Sequence, residues 1–129
     1  MPRFLSDEWI AEFDDLARSA PELVLDGDDE LVVQHTVSGV PGRDEVIFHL
    51  HLSAGPARVR PGPADAPTVT FAHDHETAAA VAAGQESAQA AFMAGRLRVG
   101  GQIDQLIARH GQLAAIDDVF AGLRAVTEF

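Results

Sequence analysis

The chain has 129 residues and is 47% hydrophobic, the size and composition of one globular domain that closes its own core without disulfides or metal. Its formal net charge is −11, all nine basic residues are arginine, and cysteine and tyrosine are absent. Disulfides, thiolate ligands, a thiol nucleophile, a Schiff-base lysine and a basic surface for nucleic acid are thereby excluded. No apolar run approaches the roughly 18 residues of a membrane span, and Asp7 and Glu8 do not suit a signal peptide, so a cytoplasmic protein without membrane insertion is expected, one domain over residues 1–129.

Ser6 is placed to cap a first helix over residues 7–19, with Asp7 and Glu8 against the positive end of its dipole. Trp9, Ile10, Phe13, Leu16 and Ala17 recur at helical spacing, and Pro21 follows the end. From Leu31 the period becomes two: Leu31, Val33, His35 and Val37 alternate with Val32, Gln34, Thr36 and Ser38. The turn residues Gly39, Val40, Pro41 and Gly42 lead into a second strand. Val46, Phe48, Leu50 and Leu52 lie on one face of it, and Ile47, His49 and His51 on the other. The pattern predicts an antiparallel pair.

Four of the seven prolines fall between positions 56 and 67, which leaves room only for a short edge strand near Ala57–Arg60. Thr68–Ala72 reads as a further strand with Val69 and Phe71 on one side. Asp74 then caps an alanine-rich helix ended by Gly84, and Ser87 caps a second short helix ended by Gly95. Arg96 to Val99 alternates as a last strand, stopped by Gly100 and Gly101. The tail is helical, with a break at Gly111. This order predicts an α+β fold: one mostly antiparallel five-stranded sheet with helices packed on one face.

Catalysis finds no footing in this pattern. His49 and His51 share a strand face, but the neighbouring His35 falls on the opposite, apolar side, so a third metal ligand is missing and no metal site or cofactor is expected. His73 and His75 flank the Asp74 cap as ordinary helix-entry residues. None of the five serines sits in a nucleophile elbow. The acidic pairs Asp14–Asp15, Asp28–Asp29 and Asp117–Asp118 are adjacent in sequence and diverge into solvent.

Apolar surface is more informative. Phe92 and Met93 end one helix, Leu97 and Val99 occupy the last strand, and Ile103, Leu106 and Ile107 open the next helix. These are either plain core or, with Phe48 and Phe71 and the small side chains of the alanine-rich helices around them, the lining of a site for an apolar ligand. Arg96 and Arg98 flank Leu97 and point away from it. They form either a charged outer face that discourages edge pairing or a local cationic strip for an anionic head group.

Residues 87–102 resemble the signature of the sterol carrier protein type-2 domain family, Gln-x-Ala-Phe-x-x-Gly-Lys-Leu-Lys-hydrophobic-x-Gly. Gln89, Ala91, Phe92, Gly95, Leu97, Val99 and Gly101 match it, with Arg96 and Arg98 in place of the lysines. The helical tail is similar to that of small stand-alone actinobacterial members. The resemblance implies an apolar tunnel between the sheet and its helices, and non-catalytic binding of sterols, fatty acids, acyl-CoA or phospholipid. It also implies an alternative, a ligand-free structural or docking module for a lipid- or acyl-processing enzyme, since the same domain is appended to some sulfatases and acetyltransferases. A homo-oligomer is compatible with either. Burying a sixteen-carbon chain supplies at most about 13 kcal/mol at ~0.8 kcal/mol per methylene. Association costs remove much of that, so micromolar affinity and broad selectivity are expected.

Overall fold

The computed structural model describes residues 2–129, apart from the side chains of Leu106, His110, Gln112, Leu113, Ala114 and Asp117. Helix α1 (Asp7–Arg18) starts where Ser6 accepts a hydrogen bond from the Trp9 N–H at 3.1 Å and buries Trp9, Ile10, Phe13 and Ala17. A 3₁₀ turn (Pro21–Leu23) leads to β1 (Leu31–Val40) and β2 (Asp44–Leu52), which pair antiparallel with Leu31 opposite Leu52 and Val37 opposite Val46. Their connection requires left-handed backbone at Gly39 (φ 68°) and Gly42 (φ 80°), which glycine adopts without steric cost.

Strand β3 (Arg58–Pro61) pairs with β2 at the sheet edge, as the prolines require. Strand β4 (Val69–Asp74) lies on the far side of β1 and parallel to it, and β5 (Arg98–Gly101) pairs antiparallel with β4. The order β3-β2-β1-β4-β5 is therefore a mixed, mostly antiparallel sheet. Reaching β4 from β3 means crossing β2 and β1. Residues 62–68 do so over the sheet's outer face, held by Gln34, whose side-chain carbonyl accepts from the Ala64 N–H at 3.0 Å, and by His49, whose Nδ1 donates to the Gly62 carbonyl at 2.9 Å.

Helices α2 (His75–Ala82), α3 (Ala88–Met93), α4 (Ile103–Ala108) and α5 (His110–Arg124) complete the chain. The inner face of β1 and β2 is closed by α1: Trp9 and Phe13 meet Phe48 at ring-centroid distances of 5.7 and 6.4 Å. Phe13 meets Phe120 of α5 at 4.8 Å. Trp9 Nε1 donates to Thr127 Oγ1 at 3.1 Å, and that hydroxyl donates onward to the Leu123 carbonyl at 2.6 Å. Arg124 covers Gly84 and donates from Nε to the Ala82 carbonyl at 2.6 Å, placing a cation at the C-terminus of α2.

The last strand runs two residues later than its alternation suggests. Arg96 and Leu97 belong to the turn out of α3: both backbone N–H groups donate to the Ala91 carbonyl, at 2.9 and 3.2 Å, around a left-handed Gly95. Gly100 and Gly101 extend β5 instead of stopping it. A Cβ at Gly101 would stand 2.5 Å from the Thr68 carbonyl oxygen, so the missing side chain is what lets β5 close on β4. Most of the signature thus builds the α3–β5 junction: Ala91 is buried, Leu97 is buried, and the two glycines permit the turn and the close approach.

Candidate functional site

Burial on the helix side of the sheet is uneven. Leu31, Val33, Val37, Val46, Phe48, Leu50 and Leu52 of β1 and β2 are buried, as alternation predicts. Toward β4 and β5 the cover thins, because α1 lies over the other half: His35, Phe71, His73 and Val99 are only partly buried. Register places them together, with His35 opposite Phe71, Phe71 opposite Val99, and His73 next along the same face, opposite Val37. The His35 ring stacks on Phe48 at 4.8 Å with an interplanar angle of 5°, and meets Phe71 at 5.1 Å and His73 at 5.9 Å.

Burial strips water from the His35 imidazole and, with His73 disfavouring a second positive charge, pushes its pKa down to about 3. Burial also lowers His73, opposed by the neighbouring Asp74 carboxylate. Both rings are therefore neutral at physiological pH. His73 flanks the Asp74 cap as expected, but it is the last inward-facing residue of β4: extending the Val69–Phe71 alternation by one step places it on the apolar face.

The expected lining residues divide into three groups. Phe48 and Leu97 are buried, Phe71 and Val99 partly buried, and Phe92, Met93, Ile103 and Ile107 exposed, Met93 to 78% and Ile107 to 70%. The side chain of Leu106 lies outside the described residues. Two cavities lie elsewhere. One, of about 230 Å³, is lined by Phe4, Val40, Phe129, Arg3, Arg43 and His75. The other, of about 300 Å³, lies between α1 and β3 beside Ile10, Asp14, Arg58 and Pro61. Neither includes the expected tunnel residues.

The two head-group candidates are directed elsewhere. Arg96 pairs with both carboxylate oxygens of Glu86, with Nη1 2.7 Å from Oε2. Arg98 lies opposite Ala72, on the outer face and not the face of Phe71 and Val99. His49 and His51 lie on that outer face too, opposite Gln34 and Val32, while His35 faces inward. His51 Nε2 is 2.8 Å from Glu30 Oε1. Among the described residues no group of three or more histidine, aspartate or glutamate side chains is placed to hold a metal ion, and no helix is long and apolar enough to cross a membrane.

Comparison with known proteins points to one family. The model of the SCP-2 sterol transfer family matches residues 19–109, which leaves α1 and α5 outside the match. No curated protein matches. Among solved structures, the fold is similar to a conserved hypothetical protein of Thermus thermophilus, with TM-score 0.68, 18% identity, and coverage of 100% of this chain and 93% of that one. Sterol carrier protein 2 from Yarrowia lipolytica in its apo form gives TM-score 0.62 at 16% identity, covering 96% and 95%. Palmitated sterol carrier protein 2-like 2 from Aedes aegypti gives 0.62 at 18%, covering 84% and 93%.

Proposed function

Since the chain belongs to the SCP-2 sterol transfer family, we propose that it binds an apolar lipid in the cytoplasm and carries or shields it without chemistry of its own. The observation that carries this reading is where apolar surface is left uncovered. Of the seven large hydrophobic side chains exposed among the described residues, four (Phe92, Met93, Ile103 and Ile107) lie on α3 and α4, the helices entering and leaving β5. They bracket the strand whose inner face, with Phe71 and Val99, is the thinly covered part of the sheet.

A lipid lying against that face covers both sets at once, and its burial supplies about 25 cal/mol per Å² of apolar area removed from water. Phe48 borders the site on the same face, stacked on His35. The palmitated Aedes aegypti relative makes an acyl chain a sensible first ligand to test. Because the apolar driving force is non-directional, selectivity among chains of similar length is low.

The same exposed side chains suit a second reading, docking onto a lipid- or acyl-processing enzyme with no ligand in between. Native mass spectrometry of the purified protein, followed by titration with a fluorescent fatty acid, separates them. A co-purified lipid or micromolar uptake of the probe supports a carrier. A chain that is empty as purified and takes up no probe refutes it in favour of docking.

A further inference from the structure

His73 is the third inward-facing residue of β4, and both of its ring nitrogens are shut off from solvent without a hydrogen-bond partner among the described residues. A neutral imidazole carries one donor and one acceptor, and leaving both unmet inside a protein is costly enough that such groups are rare. The neighbouring ring is His35, 5.9 Å away, which stacks on Phe48 and packs against Phe71. Two histidines therefore interrupt an otherwise apolar floor, side by side, at the half of the sheet that α1 leaves thinly covered.

We infer that His73, with His35 beside it, is a polar anchor for the hydroxyl group of a neutral amphipathic lipid, and that it selects an alcohol over a carboxylate. The inference rests on the lipid-binding reading above and adds a head-group class to it. A hydroxyl can accept from an imidazole N–H or donate to a bare ring nitrogen, so it pairs with whichever nitrogen of His73 faces the ligand. An ionised carboxylate only accepts, leaving the acceptor nitrogen unmet. Neither ring supplies a compensating cation, since burial holds both neutral. The adjacent Asp74 is kept ionised chiefly by the hydrogen bond from the Thr77 backbone N–H, and it repels a second anion.

The test compares 1-dodecanol, dodecanoate and dodecane as displacers of a fluorescent hydrocarbon probe, diphenylhexatriene, from the full chain at neutral pH. The alcohol is expected to bind at least about fivefold more tightly than the alkane and than the acid. His73→Phe should reduce the alcohol to the level of the alkane while leaving dodecane within about twofold, and His73→Gln, which keeps a donor and an acceptor, should restore part of the preference. Equal affinity for alcohol and alkane, or a preference that survives His73→Phe, overturns the anchor and leaves lipid binding standing. Failure of all three ligands to displace the probe overturns both. Should the variants not fold, NMR of the imidazole nitrogens in the unmodified chain decides: His73 resonances that move with dodecanol and not with dodecane support the anchor, and unmoved resonances overturn it.

Discussion

Replacing Asp14 tests whether α1 locks the edge strand. Its carboxylate accepts from Arg58 Nε at 2.9 Å and Nη2 at 3.1 Å, and from the backbone N–H of Val59 at 2.8 Å. Val59 lies in β3, at the edge of the sheet, and this N–H points away from β2 and would otherwise be an open edge donor. The Asp14 side chain is only 13% exposed, whereas the Arg58 side chain is 39% exposed, so water screens the ion pair more than the backbone bond. A hydrogen bond to a charged acceptor is worth about 1.5–3 kcal/mol, so Asp14→Ala should cost about 2 kcal/mol, most of it through Val59.

Arg58→Ala should cost clearly less, because the Asp14–Val59 bond survives. Burial by itself would raise the Asp14 pKa, but the hydrogen bonds from Arg58 and Val59 and the nearby Arg18 outweigh it, and the net shift is below the ordinary 3.8. A depressed carboxylate contributes stability that is fully present above its unfolded pKa and is lost as pH falls through its folded one. The gap between the unmodified chain and Asp14→Ala should therefore be constant near neutrality and close below about pH 4. Urea unfolding followed by fluorescence of the single tryptophan, Trp9, buried on the same helix, measures all of this. An Asp14→Ala loss below ~0.5 kcal/mol, or an equal loss for Arg58→Ala, would refute the reasoning.

Gly101→Ala forces a Cβ to within 2.5 Å of the Thr68 carbonyl oxygen at a left-handed position (φ 86°), and should detach β5 from β4 at a cost above about 2 kcal/mol by calorimetry. Phe92→Asp should weaken fatty-acid binding about tenfold or more with unchanged circular dichroism, because Phe92 is half exposed in the free protein and a carboxylate there opposes only the ligand. His49→Ala should raise amide exchange at Ala64 by loosening the crossover, while His49→Ala and His51→Ala both leave ligand affinity and metal content unchanged; stoichiometric metal lost from these variants on elemental analysis would overturn the rejection of a metal site. Arg96→Gln with Arg98→Gln should leave the affinities for dodecanoate and dodecanol unchanged, since Arg96 is held by Glu86 and Arg98 projects from the other face; a loss confined to the acid in paired titrations would reinstate a head-group role.

The type and inward face of nearly every element were legible in the sequence, because periods of two and 3.6 are local properties of the backbone. Alternation alone separated His35 from His49 and His51, and the register of β1 with β2 agrees. The end of the last strand was not legible. Gly100 and Gly101 carry the strand on because β4 comes close enough to exclude a side chain, and Thr68 and Val69 stand far back in the chain.

The parallel placement of β4 was hidden for the same reason. So was the use of Gln34 and His49 to hold the crossover that this placement requires.

Local periodicity is enough to say which side of each strand and helix is apolar. Which of those sides is covered depends on long-range packing, since the cover comes from residues distant in the chain. Trp9 and Phe13 reach Phe48 and close one half of the sheet, while Phe92 and Met93, equally apolar and equally periodic, are left open to solvent.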